Sequence, residues 1–192
     1  DPWEQGKFKK LLTHSDKHPY VSEAVSNEYF AGEDTVRGAE ELLITEGIAD
    51  CYSAIQAGFS CISPVTVTFR KADFPRLALL ARRAKAVYIC NDNEENRAGE
   101  KGALATAEYL ENQGMKTKLI QLPRAEGMEK VDLADYLKEH SAEDLRQLMA
   151  QAKTPLELLL NELAQDPEDA EKRNAAIEKT AQLPPMERDV YA

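Results

Sequence analysis

Apolar and polar residues along this chain fall into two regimes. From Glu40 to about Lys138, short apolar runs alternate with stretches of helical period. Leu42-Leu43-Ile44-Thr45 is a compact apolar block, and Phe59 to Ser63, Ala86 to Cys90 and Lys116 to Leu122 read as three further short strands. Blocks of that kind suit strands buried on both faces, where no polar alternation is needed. Between them, Ile48 to Ala57, Phe74 to Ala84 and Gly99 to Asn112 repeat apolar residues every three to four positions, and Asp132 to Glu139 continues the series. Gly58 and Gly114 follow two of these helices as C-terminal stops. The order is β-α-β-α-β-α-β-α, which predicts a doubly wound, mainly parallel four-stranded sheet with flanking helices. After Ser141 the strand signal ends. Ala142 to Ala150, Pro155 to Ala164, Pro167 to Ala181 and Pro185 to Tyr191 read as helices, several opened by Pro or by an N-cap Ser or Asp. The expected organisation is an irregular lead-in over 1–37, an α/β domain over 38–140 and a helical subdomain over 141–192. Lys7 to Leu12 is a candidate short helix within the lead-in.

Bulk composition narrows the class without naming a reaction. Hydrophobic residues make up 43% and charged residues 30%, so a soluble domain with a full core is expected. No apolar run reaches the roughly 18 residues of a membrane span. The acidic start Asp1-Pro2-Trp3-Glu4 has no apolar h-region, and its lack of Met suggests a piece of a longer protein. Cys51, Cys61 and Cys90 form no CxxC pair, so we expect reduced, packed thiols and a cytoplasmic setting. His14 and His18 flank Asp16, but Pro19 disfavours helical geometry at His18, so they read as a solvated loop. The net charge of −10 argues against a general nucleic-acid binder, so any such role must rest on where the charges sit.

Their placement is informative. In an open parallel sheet, ligands bind beyond the carboxyl ends of the strands. The first predicted strand ends in Glu46, the third leads to Asp92 and Glu94, and the fourth leads to Asp132 and Asp135. Carboxylates gathered on one rim repel one another unless a cation neutralises them. Oxygen ligands without Cys or His favour Mg²⁺ or Mn²⁺, and such a site serves phosphoryl transfer. The competing reading is local: acids in βα loops are common N-caps, and Asp92 or Glu94 could cap the helix that begins near Gly99. Basic residues also lie near this rim. Arg70, Lys71, Arg97 and Lys101 are the expected contacts to substrate phosphate, whereas Arg82 and Arg83 read as a solvated helix face.

These residues resemble a known family. Thr45-Glu46-Gly47 with Asp50 is similar to the first motif of a Toprim domain. Asn91-Asp92-Asn93-Glu94 followed by Arg97-Ala98-Gly99 is similar to the second, with Glu94 where the family has a second Asp and two residues inserted before Arg97. Val131 to Leu137, carrying Asp132 and Asp135, resembles the acidic stretch after the last Toprim strand in primases, at a wider spacing. The stretch from Glu46 to Gly58 and the helical tail, with Thr154-Pro155-Leu156-Glu157 and Leu183-Pro184-Pro185-Met186, favour the primase version.

The resemblance implies metal-dependent RNA primer synthesis on a single-stranded DNA template from nucleoside triphosphates. A replicative helicase is a candidate partner. It implies Mg²⁺ (or Mn²⁺) held among Glu46, Asp92, Glu94, Asp132 and Asp135. Glu46, Asp92 and Glu94 would form the catalytic group with Asp50 in support, and Glu46 would either move a proton or hold a second metal. The alternatives are a Toprim nuclease and a non-catalytic nucleic-acid-binding module.

Overall fold

The computed structural model describes residues 14–22, 29–64, 69–125 and 127–191. The predicted helix at Lys7 to Leu12 lies outside them. The four-stranded sheet forms as expected from β1 (Glu41–Thr45), β2 (Cys61–Ile62), β3 (Ala86–Cys90) and β5 (Thr117–Leu119). Its order is β2-β1-β3-β5, with every pairing parallel. Helices α1 (Ile48–Gln56), α2 (Phe74–Ala81), α3 (Ala98–Asn112) and α4 (Leu133–Glu139) are interleaved with the strands. The tail adds α5 (Ala142–Gln151), α6 (Pro155–Gln165), α7 (Ala170–Gln182) and α8 (Pro185–Arg188).

Why the strand sequences lack polar alternation is plain from their two faces. Leu43, Tyr88 and Cys90 pack with Cys51 and Ala54 of α1, Leu133 and Tyr136 of α4, and Leu145 and Met149 of α5. On the other face Leu42, Ile44, Val87 and Ile89 pack with Leu77 and Ala81 of α2 and Ala103, Ala107 and Leu110 of α3. Neighbouring strand residues thus enter different cores, and each needs an apolar side chain. The tail is tied to both layers, since Leu145 is fully buried in the first and Leu158 of α6 joins the second. All three cysteines are buried free thiols, consistent with a packing role.

Three features differ from the sequence-based expectation. Residues 29–37 are not an irregular lead-in: Glu33–Val36 forms a 3-10 turn, and Phe30, Ala31 and Val36 are buried in the core. Two predicted strands, over Phe59 to Ser63 and Lys116 to Leu122, are shorter than expected, and single antiparallel bridges join them at the sheet edges. Ala31 exchanges both backbone hydrogen bonds with Ser63, and Leu119 does so with Lys153. A parallel edge strand left open presents unpaired amides, and these bridges cover them. Finally, the loops after β3 and β5 are not wholly irregular. They pair as an antiparallel ribbon of β4 (Asn93–Glu94) and β6 (Lys130–Val131).

Helix ends follow local chemistry. Gly58 (φ +91°) terminates α1 in the left-handed region, as expected. Thr154 and Glu157 form a capping box on α6, with reciprocal bonds of 3.2 and 2.7 Å. Thr154→Ala is expected to cost about 1 kcal/mol. In thermal unfolding that should appear as a loss of about 2–4 °C; an unchanged melting temperature would show that the cap carries no stability.

Candidate metal and phosphate site

Strands β1 and β3 are adjacent and in register, with Thr45 beside Cys90, so the residues that follow them emerge together. Sheet order reverses here, because β2 lies on one side of β1 and β3 on the other. Such a switch point opens a crevice at the carboxyl ends. Glu46 leaves β1 directly into it, its carbonyl held by the Ser63 hydroxyl at 3.1 Å. Asp92 leaves β3 two residues past the strand and is 8% exposed.

The loop carrying Asp92 is fixed from several directions. Asn91 donates to the Gly99 carbonyl at 3.0 Å, and Asn93 donates to the Leu122 carbonyl at 2.8 Å. Gly99 is required for close approach: a Cβ there would stand 2.2 Å from the Asp92 carbonyl oxygen. The capping alternative for Asp92 and Glu94 fails. Arg97 occupies the N-cap position of α3 with no side-chain cap bond, and the Asn96 side chain accepts from Ala98 N–H. Instead, Glu94 lies on β4 directly opposite Lys130 of β6. The Lys130 ammonium contacts Asp92 and stands 3.6 Å from Glu94.

Asp132 does act as a cap, accepting from Asp135 N–H at 2.7 Å. Asp50 reaches from α1 to the same helix end and accepts from Ala134 N–H at 2.9 Å. The carboxylates sense one another. Burial raises the pKa of Asp92, and the charges of Asp132 and Glu94 add to the rise against the opposing pull of Lys130. Burial likewise raises Glu46, with Asp92 adding to it. Burial also raises Asp50, to about 6, with repulsion from Asp132 and Asp92 opposing its charge as well. The Cys90 thiol beneath them is pushed upward by burial and by Asp50, Asp92 and Asp132. Glu46, Asp50, Asp92, Glu94 and Asp132 therefore form one electrostatic group. Asp135 is separate from it, exposed and paired with Lys138.

A measurable consequence concerns Asp50. A carboxyl raised on folding holds its proton more tightly in the native than in the unfolded chain. Its contribution to stability is therefore complete below about pH 4 and disappears as pH rises through about 6. In chelator, the melting temperature should fall between pH 5 and 7.5, and Asp50→Asn should flatten that slope. An equally steep slope in the variant would remove Asp50 as its origin.

The basic candidates divide. Arg97 forks onto Glu100 at 2.6 and 2.7 Å and also contacts Glu162 of α6. It lines a cavity of about 360 Å³ beside the acids, together with Asn91, Asp92, Glu94, Gln121 and Leu158. Lys101 is exposed on the first turns of α3 and has no ion pair among the described residues. Arg70 chelates Asp73 at 2.7–3.2 Å ahead of α2, and Lys71 beside it is exposed; neither lines that cavity. His14 bonds the Val21 carbonyl at 2.6 Å, as a loop residue.

Lys130 is not among the phosphate contacts expected from sequence, since its two-residue strand offers no periodic signal. Among the described residues, no three His, Cys, Asp or Glu side chains form a ready-made metal cage. A Mg²⁺ site here would therefore rest on one or two carboxylates, with water and substrate phosphate filling the rest of the coordination.

Comparison with known proteins agrees with this geometry. A Toprim-domain family profile matches residues 41–143, more than half of the chain. Over 120 residues the chain is 30% identical to a DNA primase of Geobacillus stearothermophilus, a stretch covering 62% of this chain and 18% of that protein. The fold resembles the zinc-binding and RNA polymerase domains of the Aquifex aeolicus primase, with a TM-score of 0.59 at 20% identity over 87% of this chain and 44% of that one. It also resembles a DnaG primase catalytic domain bound to single-stranded DNA, with a TM-score of 0.61 at 20% identity over 86% and 55% of the two chains. This chain thus spans less than a fifth of the curated primase and about half of the solved structures. With a Toprim profile over its α/β core, the motif acids at the switch point of a four-stranded parallel sheet and a primase as its sequence relative, the chain belongs to the Toprim family and is related to the catalytic domain of DnaG-type DNA primases.

Proposed function

We propose that this region catalyses metal-dependent synthesis of RNA primers on single-stranded DNA. The observation that carries the reading is the pairing of Glu46 and Asp92 at the carboxyl ends of adjacent parallel strands, where the sheet order reverses. Primase relationship supplies the reaction class. The Aquifex and DnaG structures are described as primase domains, one of them bound to single-stranded DNA.

Of the expected ligands Asp92, Glu94 and Asp132, one or two would hold Mg²⁺ or Mn²⁺ directly, with water and substrate phosphate completing the coordination, and the oxygen-only donor set matches those ions. When bound there, the metal supplies charge neutralisation for a triphosphate and its leaving pyrophosphate. The chain's own groups account for the rest. Glu46 is a half-buried carboxylate with raised proton affinity, fit to accept the proton of an attacking 3′-hydroxyl. Asp50 holds α4 in place through Ala134 N–H, keeping Asp132 at the rim. Arg97, which lines the cavity, would reach phosphate by giving up Glu100 or Glu162, with exposed Lys101 on the same helix start, whereas Arg70, paired with Asp73, and Lys71 would contact substrate only outside that cavity. Asp135 supports the turn that Asp132 caps.

The test uses the full-length protein with a single-stranded DNA template, nucleoside triphosphates and Mg²⁺ or Mn²⁺. New RNA chains are expected. Shortened strands would instead identify a nuclease. Failure to bind Mg²⁺, Mn²⁺ or nucleotide in calorimetry would identify a non-catalytic module.

A further inference from the structure

The carboxylates proposed to hold the metal already carry a cation. Lys130 contacts Asp92 and lies 3.6 Å from Glu94, so one ammonium spans both. Its side chain is 47% exposed, whereas those of Asp92 and Glu94 are 8% and 25% exposed. The lysine therefore covers the solvent side of the pair. A divalent ion on the same oxygens would meet that ammonium at contact distance, and two cations so placed repel strongly.

The surrounding backbone is held, so the motion required is small. Val131, next to Lys130, is buried in the core. Asn93 fastens β4 to the Leu122 carbonyl, and Arg124 bonds the Met128 and Glu129 carbonyls ahead of β6. Only the four-carbon stem of Lys130 has to swing. Its ammonium then stays within reach of the rim at which a nucleoside triphosphate would present its phosphates, and a flexible lysine suits such a point-charge contact.

We infer that Lys130 is a resident counter-ion of the metal-free site, displaced when a divalent ion binds, and that its released ammonium then binds substrate phosphate. This rests on the metal-site reading above. Lys130 is a positioning residue in the first state and a phosphate ligand in the second. Removing it lowers the competition for Asp92 and Glu94 and at the same time removes a phosphate contact, so the two affinities must move in opposite directions.

The experiment measures Mn²⁺ binding to the full-length protein by the loss of the free-ion electron paramagnetic resonance signal. It then measures nucleoside triphosphate binding at saturating Mn²⁺. Lys130→Met should bind Mn²⁺ roughly tenfold more tightly and triphosphate roughly fivefold more weakly than the parent. Lys130→Arg, which keeps the charge, should stay close to the parent for Mn²⁺. Circular dichroism checks folding, and Lys130→Gln replaces the Met variant if Asp92 without its partner unfolds the metal-free chain. Unchanged or weaker Mn²⁺ binding in the charge-free variant would overturn the inference. Tighter Mn²⁺ binding with unchanged triphosphate affinity would overturn its second half. A parent protein that binds no Mn²⁺ would instead overturn the metal-site reading itself.

Discussion

Glu46→Gln in the full-length protein is expected to reduce primer synthesis by about 10²- to 10⁴-fold, the range for removal of a positioned general base. The substitution keeps the shape of the side chain and removes its charge. The reason for so large an effect lies in where the residue sits. Glu46 follows the last residue of β1, and its carboxyl is raised by burial and by the neighbouring charge of Asp92. A carboxyl in that setting binds a proton more readily than one in water, as proton transfer from a hydroxyl requires. Glutamine cannot accept that proton. Stability should not fall, because one of several mutually repelling carboxylates is gone. Primer assays on single-stranded DNA, read beside thermal unfolding of the same preparation, separate the two quantities. Parental synthesis by a folded Glu46→Gln protein would remove Glu46 from the chemistry.

Gly99→Ala is expected to damage both the fold and the site through a single methyl group. The added Cβ would lie 2.2 Å from the carbonyl oxygen of Asp92 and 3.1 Å from its backbone nitrogen and carbonyl carbon. These are backbone atoms, so no side chain can swing aside. Either α3 withdraws from the β3 loop or Asp92 shifts. Overpacking of this kind costs about 3 kcal/mol at the upper end of its usual range, which corresponds to a fall of roughly 10 °C in melting temperature for a chain of this size. Displacing Asp92 by about 1 Å would also reduce activity by about a hundredfold. Thermal unfolding and primer synthesis measured on one preparation test both statements. A variant with parental stability would show that the helix start has slack which the contact distances do not suggest.

Both predictions depend on residues that the linear sequence already marked, and it is clear why. Leu42 to Ile44 and Val87 to Cys90 are apolar without interruption because alternate residues enter different cores. That pattern is local, and so is the rule that ligands sit beyond the carboxyl ends of such strands. Glu46 and Asp92 could thus be placed on one rim from the order of elements, while their adjacency followed only from the pairing of β1 with β3. The close approach at Gly99 was foreshadowed only as part of a motif, and its cause became visible when the α3 backbone was seen against Asp92.

Other features had no local signature. The β4–β6 ribbon consists of two-residue strands, too short for any period to show. Arg97 and Glu162 are 65 positions apart, and nothing in either neighbourhood announces the pair. The bridges Ala31–Ser63 and Leu119–Lys153 are backbone contacts, which leave little trace in side-chain identity. Residues 29–37 lack periodicity because a 3-10 turn and single buried side chains do not repeat.

The sequence by itself determined the class of the fold, the order of its elements and the acidic character of one rim, because burial and helical period act between near neighbours. Tertiary structure decided which carboxylates share a field. It drew Asp50 and Asp132 to one helix end and left Asp135 in solvent with Lys138. It also set Lys130 against Asp92 and Glu94, because charge interaction depends on distance through space, and only the paired loops after β3 and β5 make that distance short.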